Sequence, residues 1–204
     1  MKILCLYNND CALELFTWLE RQGHEIIYCT KRLDENWCRK QKFELTVSYT
    51  YRYILPNNII VGLNNNVVNI HNSFLPWNRG ADPNIWSLID ETPRGVTLHY
   101  MDEKLDKGNI ITQQLIVDGE DETLKSSYDN LDKAAKELFK NAFAYYNSWQ
   151  SMKKTANGKG SYHSLKDGII IKKMIDTYEM KVIDLKEKYR KANNNVCGGG
   201  YNPL

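Results

Sequence analysis

The chain has 204 residues, of which 42% are apolar and 25% are charged. This composition predicts a globular domain with a buried core and excludes a largely disordered chain. The net charge of +2 is too small to indicate a nucleic-acid partner, and no apolar run approaches the roughly 18 residues that a membrane span requires.

The cysteines and the N-terminus bear on the cellular compartment. The number of cysteines is odd and no two form a C-x-x-C pair, so neither a disulfide framework nor a metal site is predicted. No small-residue cleavage site follows the first apolar run, residues 2–7, which therefore predicts a strand rather than a secretory signal. We expect a cytoplasmic protein. The cysteines are Cys5, Cys11, Cys29, Cys38 and Cys197.

The first third of the chain alternates between strand and helix patterns. Residues 2–7 predict a strand, and a helical stripe from Leu13 to Leu19 ends at Gly23. Residues 24–29 predict the next strand. Together they form a strand–helix–strand unit, which is typical of a parallel sheet.

The middle of the chain continues this pattern. An irregular helix is predicted over 34–41, a strand over 44–49 and one short helix over 58–63. The short apolar run 67–70 then leads directly into His71. Because ligands of open α/β sheets lie beyond the carboxyl ends of strands, this histidine is well placed for chemistry.

The second half contains the longest elements. A helix is predicted over 83–90, and strands are predicted over 95–101 and 109–117. The longest helical stripe runs through 123–149. We expect the helices to flank the sheet that the strands form.

The C-terminal part differs in composition. Residues 150–160 are rich in Lys, Asn and Gly and predict a linker. A short strand is predicted over 168–171, a final helix over 176–192 and a mobile tail over 193–204.

The order of the elements predicts an α/β fold. We expect a Rossmann-like, mostly parallel twisted sheet flanked by helices. The predicted main domain covers residues 1–150, and a short C-terminal strand and helix extension covers 151–204.

One pair of polar residues stands at the end of a predicted strand. His71 is one of four histidines, and Asn69 lies two residues before it. Residues two apart in a strand face the same side of the sheet, so an amide and an imidazole are expected side by side. A polar strand end without function is the alternative explanation.

A charged loop, residues 102–108, lies between two predicted strands. Carboxylates in such a loop are candidates for acid–base catalysis, and a solvated turn is the alternative. The residues after the first strand, 8–12, contain no glycine-rich phosphate loop. A nucleophile elbow and metal-ligand spacing are also missing from the sequence.

Two stretches resemble the signatures of folate-dependent formyltransferases. Residues 69–76 read N-I-H-N-S-F-L-P and resemble the family's N-I-H-P-S-L-L-P. Residues 95–111 resemble the second signature, in which a G-V-T-x-H strand leads to a D-E-G-x-D-x-G-x-I loop. Asp106 lies 35 positions after His71, close to the family's usual interval. Two motifs at a matching separation are a strong signal, whereas a lone N-x-H is weak.

The resemblance implies an enzyme that transfers a formyl group from 10-formyltetrahydrofolate to an amine. It implies a catalytic trio of Asn69, His71 and Asp106. Asn69 would donate to the developing oxyanion, and His71 would act as general base or second donor. Asp106 would orient His71 or a water molecule. No metal is implied.

Residues 48–56 resemble the folate-pocket segment of the same family. The backbone around Ile54 and Leu55 would flank the pterin. The implied folate-binding residues are Tyr53, Ile54, Leu55, His99, Met101, Asp102, Glu103 and Leu105.

Three further stretches, 8–12, 75–84 and 160–167, resemble the branch of the family that acts on amino sugars carried by nucleotides. The implied partner is a nucleotide-linked amino sugar, such as a dTDP-linked one, with no nucleic acid and no membrane. The implied assembly is a homodimer. The implied substrate-binding residues are Asn9, Trp77, Asn78, Arg79, Gly80, Ala81 and Asp82.

The sequence departs from the family pattern at several points. Asn72 stands where a proline usually follows the histidine, and Lys104 stands where the D-E-G loop has its glycine. The N-terminal region is shorter than in typical relatives. None of these departures removes a residue of the implied trio.

Three alternatives stay open at this point. A glycinamide ribonucleotide formyltransferase usually has a phosphate loop rich in glycine and serine after its first strand. A methionyl-tRNA formyltransferase would need a further RNA-binding domain and a more basic surface. The third is a non-catalytic binding relative in which the trio is a relic.

Overall fold

A six-stranded sheet forms the centre of the chain. The computed structural model describes residues 1–117, 119, 121–156 and 158–197. A separate two-stranded ladder lies outside the main sheet. The strands are β1 (Lys2–Leu6), β2 (Glu25–Cys29), β3 (Leu45–Tyr49), β4 (Val67–His71), β5 (Arg79–Gly80), β6 (Gly95–Tyr100), β7 (Ile110–Leu115) and β8 (Tyr162–His163).

The main sheet has the strand order β2-β1-β3-β4-β6-β7, and β5 pairs with β8 in the small ladder. Strands β1 to β4 pair in parallel, whereas β6 and β7 join the edge in antiparallel pairs. The central strand β3 is buried along its whole length, as expected for a parallel strand covered on both faces. The predicted α/β fold with a mostly parallel sheet is confirmed.

Helices cover the two faces of the sheet. The segments that we predicted as helices over 34–41, 58–63 and 83–90 are helical, with ends that differ by one residue. The helices are α1 (Leu13–Arg21), α2 (Glu35–Gln41), α3 (Asn57–Gly62), α4 (Pro83–Ile89), α5 (Leu124–Phe143), α6 (Trp149–Met152), α7 (Leu165–Lys172) and α8 (Val182–Cys197).

The long helix α5 packs on one face of β4 and β6. Val68, Ile70 and Leu98 share a buried cluster with Leu131 and Phe139 of α5. Because side chains alternate along a strand, the residues between these apolar ones face the opposite side of the sheet. The packing of α5 therefore decides which face of β4 is available for a site.

A second apolar cluster lies on the opposite face, under α2 and α3. It contains Leu4, Leu6 and Val67 from the sheet and Ile60 from α3. Leu55, which follows β3, is also buried in it. This cluster supports the segment that the sequence resemblance assigns to folate binding.

The strand predicted over 168–171 is wrong, because these residues lie in helix α7. Ser164 and Asp167 form a capping box: the Ser164 side chain accepts from the Asp167 backbone, and the Asp167 side chain accepts from the Ser164 backbone. Three consecutive isoleucines favour a strand by local preference, but the cap satisfies the first backbone donors of a helix.

Two predicted helix boundaries are also wrong. The long helix ends at Phe143 rather than at 149, and the Trp149 indole donates to the Ala142 carbonyl at 2.9 Å, so the chain folds back over α5. The final helix begins at Val182 rather than at 176 and continues to Cys197. Residues 198–204 of the predicted mobile tail lie outside the described residues.

The C-terminal extension packs against the part of the chain that precedes it. Ile171 of α7 and Leu185 of α8 share a buried cluster with Trp86 and Leu88 of α4. The division at residue 150 stays a prediction. Among the described residues, no helix combines the length and the apolar character needed to cross a bilayer.

Arg94 is a buried cation that joins α4 to α5. Its guanidinium donates to Glu122 Oε2 at 3.2 Å, to Asn84 Oδ1 at 3.1 Å and to Ser127 Oγ at 2.7 Å. Burial lowers the pKa of Arg94, and the ion pair with Glu122 opposes that shift. The guanidinium remains charged, so its partners stabilise a buried positive charge within the fold.

We expect Arg94→Ala to lower the free energy of unfolding by about 3–5 kcal/mol, because Glu122 is left as a buried charge without its partner. Urea unfolding measures the change. The matched control is Arg190→Ala, whose exposed ion pair with Glu91 spans 3.0 Å and should contribute less than about 1 kcal/mol. Equal losses in the two variants would contradict the assigned role.

Candidate active site

Strands β4 and β6 bring four polar side chains together on the face that α5 leaves free. In the antiparallel register, Asn69 lies opposite His99, and His71 lies opposite Thr97. These residues alternate with the apolar ones that pack on α5. The sequence predicted the shared face of Asn69 and His71, but it did not predict that His99 lies next to Asn69.

The loop after β6 folds back over this face and delivers Asp106. Its ends are joined because the Tyr100 amide donates to the Asn109 carbonyl at 2.9 Å. Gly108 allows this approach, since a Cβ there would lie 1.8 Å from the Tyr100 oxygen. Asp106 has a left-handed backbone, with φ of 51°, and its Oδ2 lies 3.8 Å from His71 Nε2.

The Asp106 carboxylate is held between two imidazoles. Its side chain is only 7% exposed. Oδ2 accepts from the Gly80 backbone N–H at 2.9 Å, and Oδ1 lies 3.8 Å from His99 Nε2. A buried carboxylate that accepts one backbone hydrogen bond can still accept a hydrogen bond from another donor.

His99 is neutral and sets the orientation of the Asn69 amide. Burial lowers the pKa of His99, and the nearby Asp106 only partly offsets this. Its Nδ1 donates to the Tyr100 carbonyl at 2.8 Å, so Nε2 carries the lone pair. That lone pair accepts from Asn69 Nδ2 at 3.4 Å. The second N–H of the amide is then available for a ligand.

His71 is buried beside a backbone carbonyl. Its Nε2 lies 3.1 Å from the Asn78 oxygen. An amide donor, an imidazole and a carboxylate therefore converge on one small region of the sheet face. Such a set can stabilise an oxyanion and relay a proton. Within the described part of the chain, no group of three or more His, Cys, Asp or Glu is arranged to hold a metal ion.

The two predicted folate-binding segments meet over one apolar cluster. Leu55 is buried in that cluster, and Met101 packs against it. Met101 is fixed by its amide, which donates to the Val67 carbonyl at 2.8 Å. Ile54 beside it is 65% exposed. An apolar cluster beside an exposed apolar residue suits a flat heterocycle such as a pterin.

The other predicted folate residues differ in exposure and contacts. Tyr53 stacks under the Arg32 guanidinium at 4.8 Å. The His99 side chain is 1% exposed and holds Asn69, so a contact between its ring and folate stays a prediction. The exposed predicted folate residues of the loop after β6 are Asp102, Glu103 and Leu105.

Several residues of the predicted substrate loop bond to other parts of the protein and therefore support the fold. Asn78 is fully buried, and its side chain bonds to Thr92 and Ser161. The Gly80 amide donates to Asp106. Asp82 forms an ion pair of 2.8 Å with Lys172. The predicted substrate residues that are half-buried are Trp77, Arg79, Gly80, Ala81 and Asp82.

Asn9 lies at the topological switch point between β1 and β3. Its amide donates to Thr50 Oγ1 at 3.2 Å, and its side chain accepts from the Cys11 amide at 3.1 Å. Asn8 accepts from the Arg52 amide at 2.9 Å. These bonds join the loops after β1 and β3 at the carboxyl edge of the sheet, the usual ligand position in this architecture.

Sequence reasoning missed the contribution of the C-terminal extension to the site. Ser161 bonds to Asn78, and the His163 ring stacks on Trp86 with centroids 3.9 Å apart. Residues 160–167 carried a resemblance but no assigned role. No periodic pattern marks these residues, so the sequence offered no physical signal for them.

A groove of about 820 Å³ lies at the other edge of the sheet. It is lined by Asn66, Tyr100, Met101 and Asp102, among others, but not by the Asn–His–Asp cluster. We place the chemistry around Asp106 instead, because the titratable groups converge there.

Comparison with known proteins gives one family and two kinds of relative. The Formyl transferase family model matches residues 30–143. The crystal structure of the formyltransferase PseJ from Anoxybacillus kamchatkensis, in complex with UDP-4,6-dideoxy-4-formamido-L-AltNAc and tetrahydrofolate, has a TM-score of 0.80 and 33% identity. The match covers 91% of this chain and 97% of that one.

Two other matches are more limited. A 4-N formyltransferase from Francisella tularensis has a TM-score of 0.71 at 24% identity, covers 90% and 86% of the two chains, and supports the fold alone. The methionyl-tRNA formyltransferase of Listeria innocua is 38% identical over 96 residues, which is 47% of this chain. The chain thus spans about a third of that curated relative, 31% of its length.

The fold and the site define an α/β protein with a mostly parallel sheet. An Asn–His–Asp cluster lies on the face of that sheet opposite α5. The family match covers more than half of the chain, and the PseJ match covers nearly all of both chains. The chain belongs to the formyl transferase family.

Proposed function

We propose that this chain transfers a formyl group from 10-formyltetrahydrofolate to the amine of a nucleotide-linked amino sugar. The observation that carries the proposal is the convergence of Asn69, His71 and Asp106, with 3.8 Å between Asp106 Oδ2 and His71 Nε2. The PseJ complex supports both ligands, since it contains tetrahydrofolate and a UDP-linked formamido sugar.

The reaction is acyl transfer to nitrogen. The amine attacks as the free base, because an ammonium has no lone pair. A new C–N bond forms at the formyl carbon, and the tetrahedral oxyanion accepts the free N–H of Asn69. The amine then loses a proton toward His71, and the bond to the folate nitrogen breaks as that nitrogen gains a proton. Asp106 stabilises His71 while it carries the positive charge.

The folate donor would lie over the apolar cluster that contains Leu55 and Met101. When bound, it supplies the activated formyl carbon. The exposed residue Ile54 precedes Leu55 at the edge of that cluster and would contact the heterocycle. Asn69 and Asp106 then line the route from the cluster toward the amine.

The nucleotide-sugar would span the carboxyl edge of the sheet. Asn9 and Thr50 bond to each other at the switch point, and Arg79 lies on the loop whose Gly80 bonds to Asp106. A guanidinium is well suited to a diphosphate group. These positions support a substrate that approaches Asp106 from the side opposite the folate.

A second candidate substrate is methionyl-tRNA, because curated relatives with that activity match 96 residues of this chain. The shared stretch covers 47% of the chain, whereas the match to PseJ covers 91% of it. The wider match includes elements outside the shared stretch, so we favour the sugar.

A panel assay tests the function. The protein is incubated with 10-formyltetrahydrofolate and either dTDP- or UDP-linked amino sugars, glycinamide ribonucleotide or methionyl-tRNA, and products are read by mass spectrometry. Formylation of a nucleotide sugar supports the proposal. Formylation of only one of the other acceptors overturns the sugar assignment, and folate binding without any product indicates a non-catalytic relative.

The assembly and the compartment stay predictions. Three large apolar side chains of α7 are exposed, namely Leu165, Ile169 and Ile170. An exposed apolar patch of this kind suits contact with a second protein surface, and we propose a homodimer. Light scattering coupled to gel filtration measures the assembly, and a monomer at micromolar concentration would contradict it.

A further inference from the structure

We infer that Ser161 is a positioning residue for His71, acting through Asn78, and that residues 158–163, here called the strap, complete the site. The strap lies outside the segment that the family model matches. The inference rests on the proposed function where it concerns turnover. Its structural part does not depend on the identity of the substrate.

The strap is bonded along the loop that lies over His71. The Ser161 amide donates to the Pro76 carbonyl at 3.2 Å, and the Arg79 amide donates to the Ser161 carbonyl at 3.1 Å. The Ala81 amide donates to the His163 carbonyl at 2.9 Å. Three backbone bonds therefore fix the loop and the strap in one register.

Glycine is required at both sides of this contact. At Gly160, with φ of 49°, a Cβ would lie 2.0 Å from the Pro76 oxygen. At Gly80, with φ of 92°, a Cβ would lie 2.2 Å from the His163 oxygen. The two backbones approach more closely than any side chain allows, so the strap packs directly on the loop.

The Ser161 hydroxyl binds Asn78 twice. It accepts from the Asn78 backbone N–H at 2.8 Å and donates to Asn78 Oδ1 at 3.0 Å. The remaining amide group of Asn78 donates to Thr92 Oγ1 at 2.7 Å. Asn78 is fully buried and has a left-handed φ of 52°. Ser161 therefore holds a strained backbone unit in a fixed orientation.

This unit determines which nitrogen of His71 carries a proton. His71 Nε2 lies 3.1 Å from the backbone carbonyl oxygen of Asn78 and 3.8 Å from Asp106 Oδ2. Both of these oxygen atoms are acceptors. Nε2 is therefore the donor, and in the neutral ring the lone pair is on Nδ1. The same loop presents the Gly80 amide to Asp106, so the strap supports both partners of the proposed proton relay.

The outer end of the strap is anchored away from the reacting groups. The His163 ring is parallel to the Trp86 indole at 3.9 Å, and its Nε2 lies 2.8 Å from Asp90 Oδ2. Helix α7 begins immediately afterwards, with Ser164 as its cap. Ser164 bonds to Asp167 and not to the loop, which makes it a matched serine for comparison.

The test measures the tautomer of His71 by ¹⁵N NMR of the imidazoles in Ser161→Ala, Ser161→Thr and Ser164→Ala. The chain has four histidines, so single His→Gln variants assign the signals. We expect the Nε2–H form in the unmodified protein and a mixture of both tautomers in Ser161→Ala. Ser161→Thr keeps the hydroxyl and should restore the single form, and Ser164→Ala should not change it.

Turnover gives the second readout. We expect Ser161→Ala to lower kcat by about 10-fold or more with less than about a 2-fold change in KM for folate, since a small misplacement of a catalytic group slows chemistry rather than binding. Ser164→Ala should retain kcat within about 2-fold.

The two readouts separate two kinds of failure. If no acceptor is formylated, the proposed function fails, but the NMR comparison still tests the positioning role. A Nδ1–H tautomer in the unmodified protein, or an unchanged tautomer in a folded Ser161→Ala variant, would overturn the inference. So would a loss of kcat in Ser164→Ala equal to that in Ser161→Ala.

Discussion

Asp106→Asn is expected to lower turnover by more than about 100-fold while the protein stays folded. The substitution preserves size and leaves an oxygen that can accept from the Gly80 amide, a bond of 2.9 Å in the structure. It removes the negative charge 3.8 Å from His71 Nε2. A positively charged His71 then loses its stabilising partner at the point where the amine gives up its proton.

Single-turnover assays with the acceptor found in the panel measure this loss, and urea unfolding checks the fold. The matched control is Asp129→Asn, which alters an exposed carboxylate paired with Lys125 on α5 and should keep turnover within about 2-fold. Near-normal turnover in Asp106→Asn would remove this carboxylate from the mechanism.

Periodic segments of the fold were predictable because burial imposes their pattern. The stripe in α5 reflects one helix face against the core, and the apolar run before His71 reflects a strand that is buried on both faces of the sheet. Boundaries were less predictable, as at α7, where three isoleucines favour a strand but Ser164 and Asp167 cap a helix. A cap is a local bond that hydrophobic periodicity does not record.

The antiparallel pairing of β6 could not be predicted from its apolar alternation. That alternation is the same whether the strand runs up or down, but the direction decides that His99 faces Asn69. The support of Asn69 by His99 therefore follows from topology rather than from sequence spacing.

In the candidate site, too, local spacing predicts some features, and the others depend on the tertiary fold. Asn69 and His71 are two apart on one strand, so their shared face follows from the pleat. The approach of Asp106 depends on a loop that closes through Gly108, which spacing alone does not determine. Asn78 belonged to the predicted substrate set by resemblance, yet it is fully buried. Its partner Ser161 is 83 positions away, too far for any local pattern.

Asn69→Ala is expected to lower kcat by about 100- to 1,000-fold, the usual loss when one oxyanion donor is removed. The reason lies in the bond between Asn69 Nδ2 and His99 Nε2 at 3.4 Å, which orients the amide before any ligand arrives. KM for folate should change little, because the donor acts on charge that develops only in the transition state.

Asn36→Ala is the control for this truncation, since Asn36 is an exposed asparagine on helix α2. The double variant Asn69→Ala with Asp106→Asn adds a sharper test. Both residues would act on one tetrahedral intermediate, so their combined loss in kcat should be much smaller than the product of the single losses. Fully multiplicative losses would mean that the amide and the carboxylate act in separate steps, and the single-site mechanism would then be wrong.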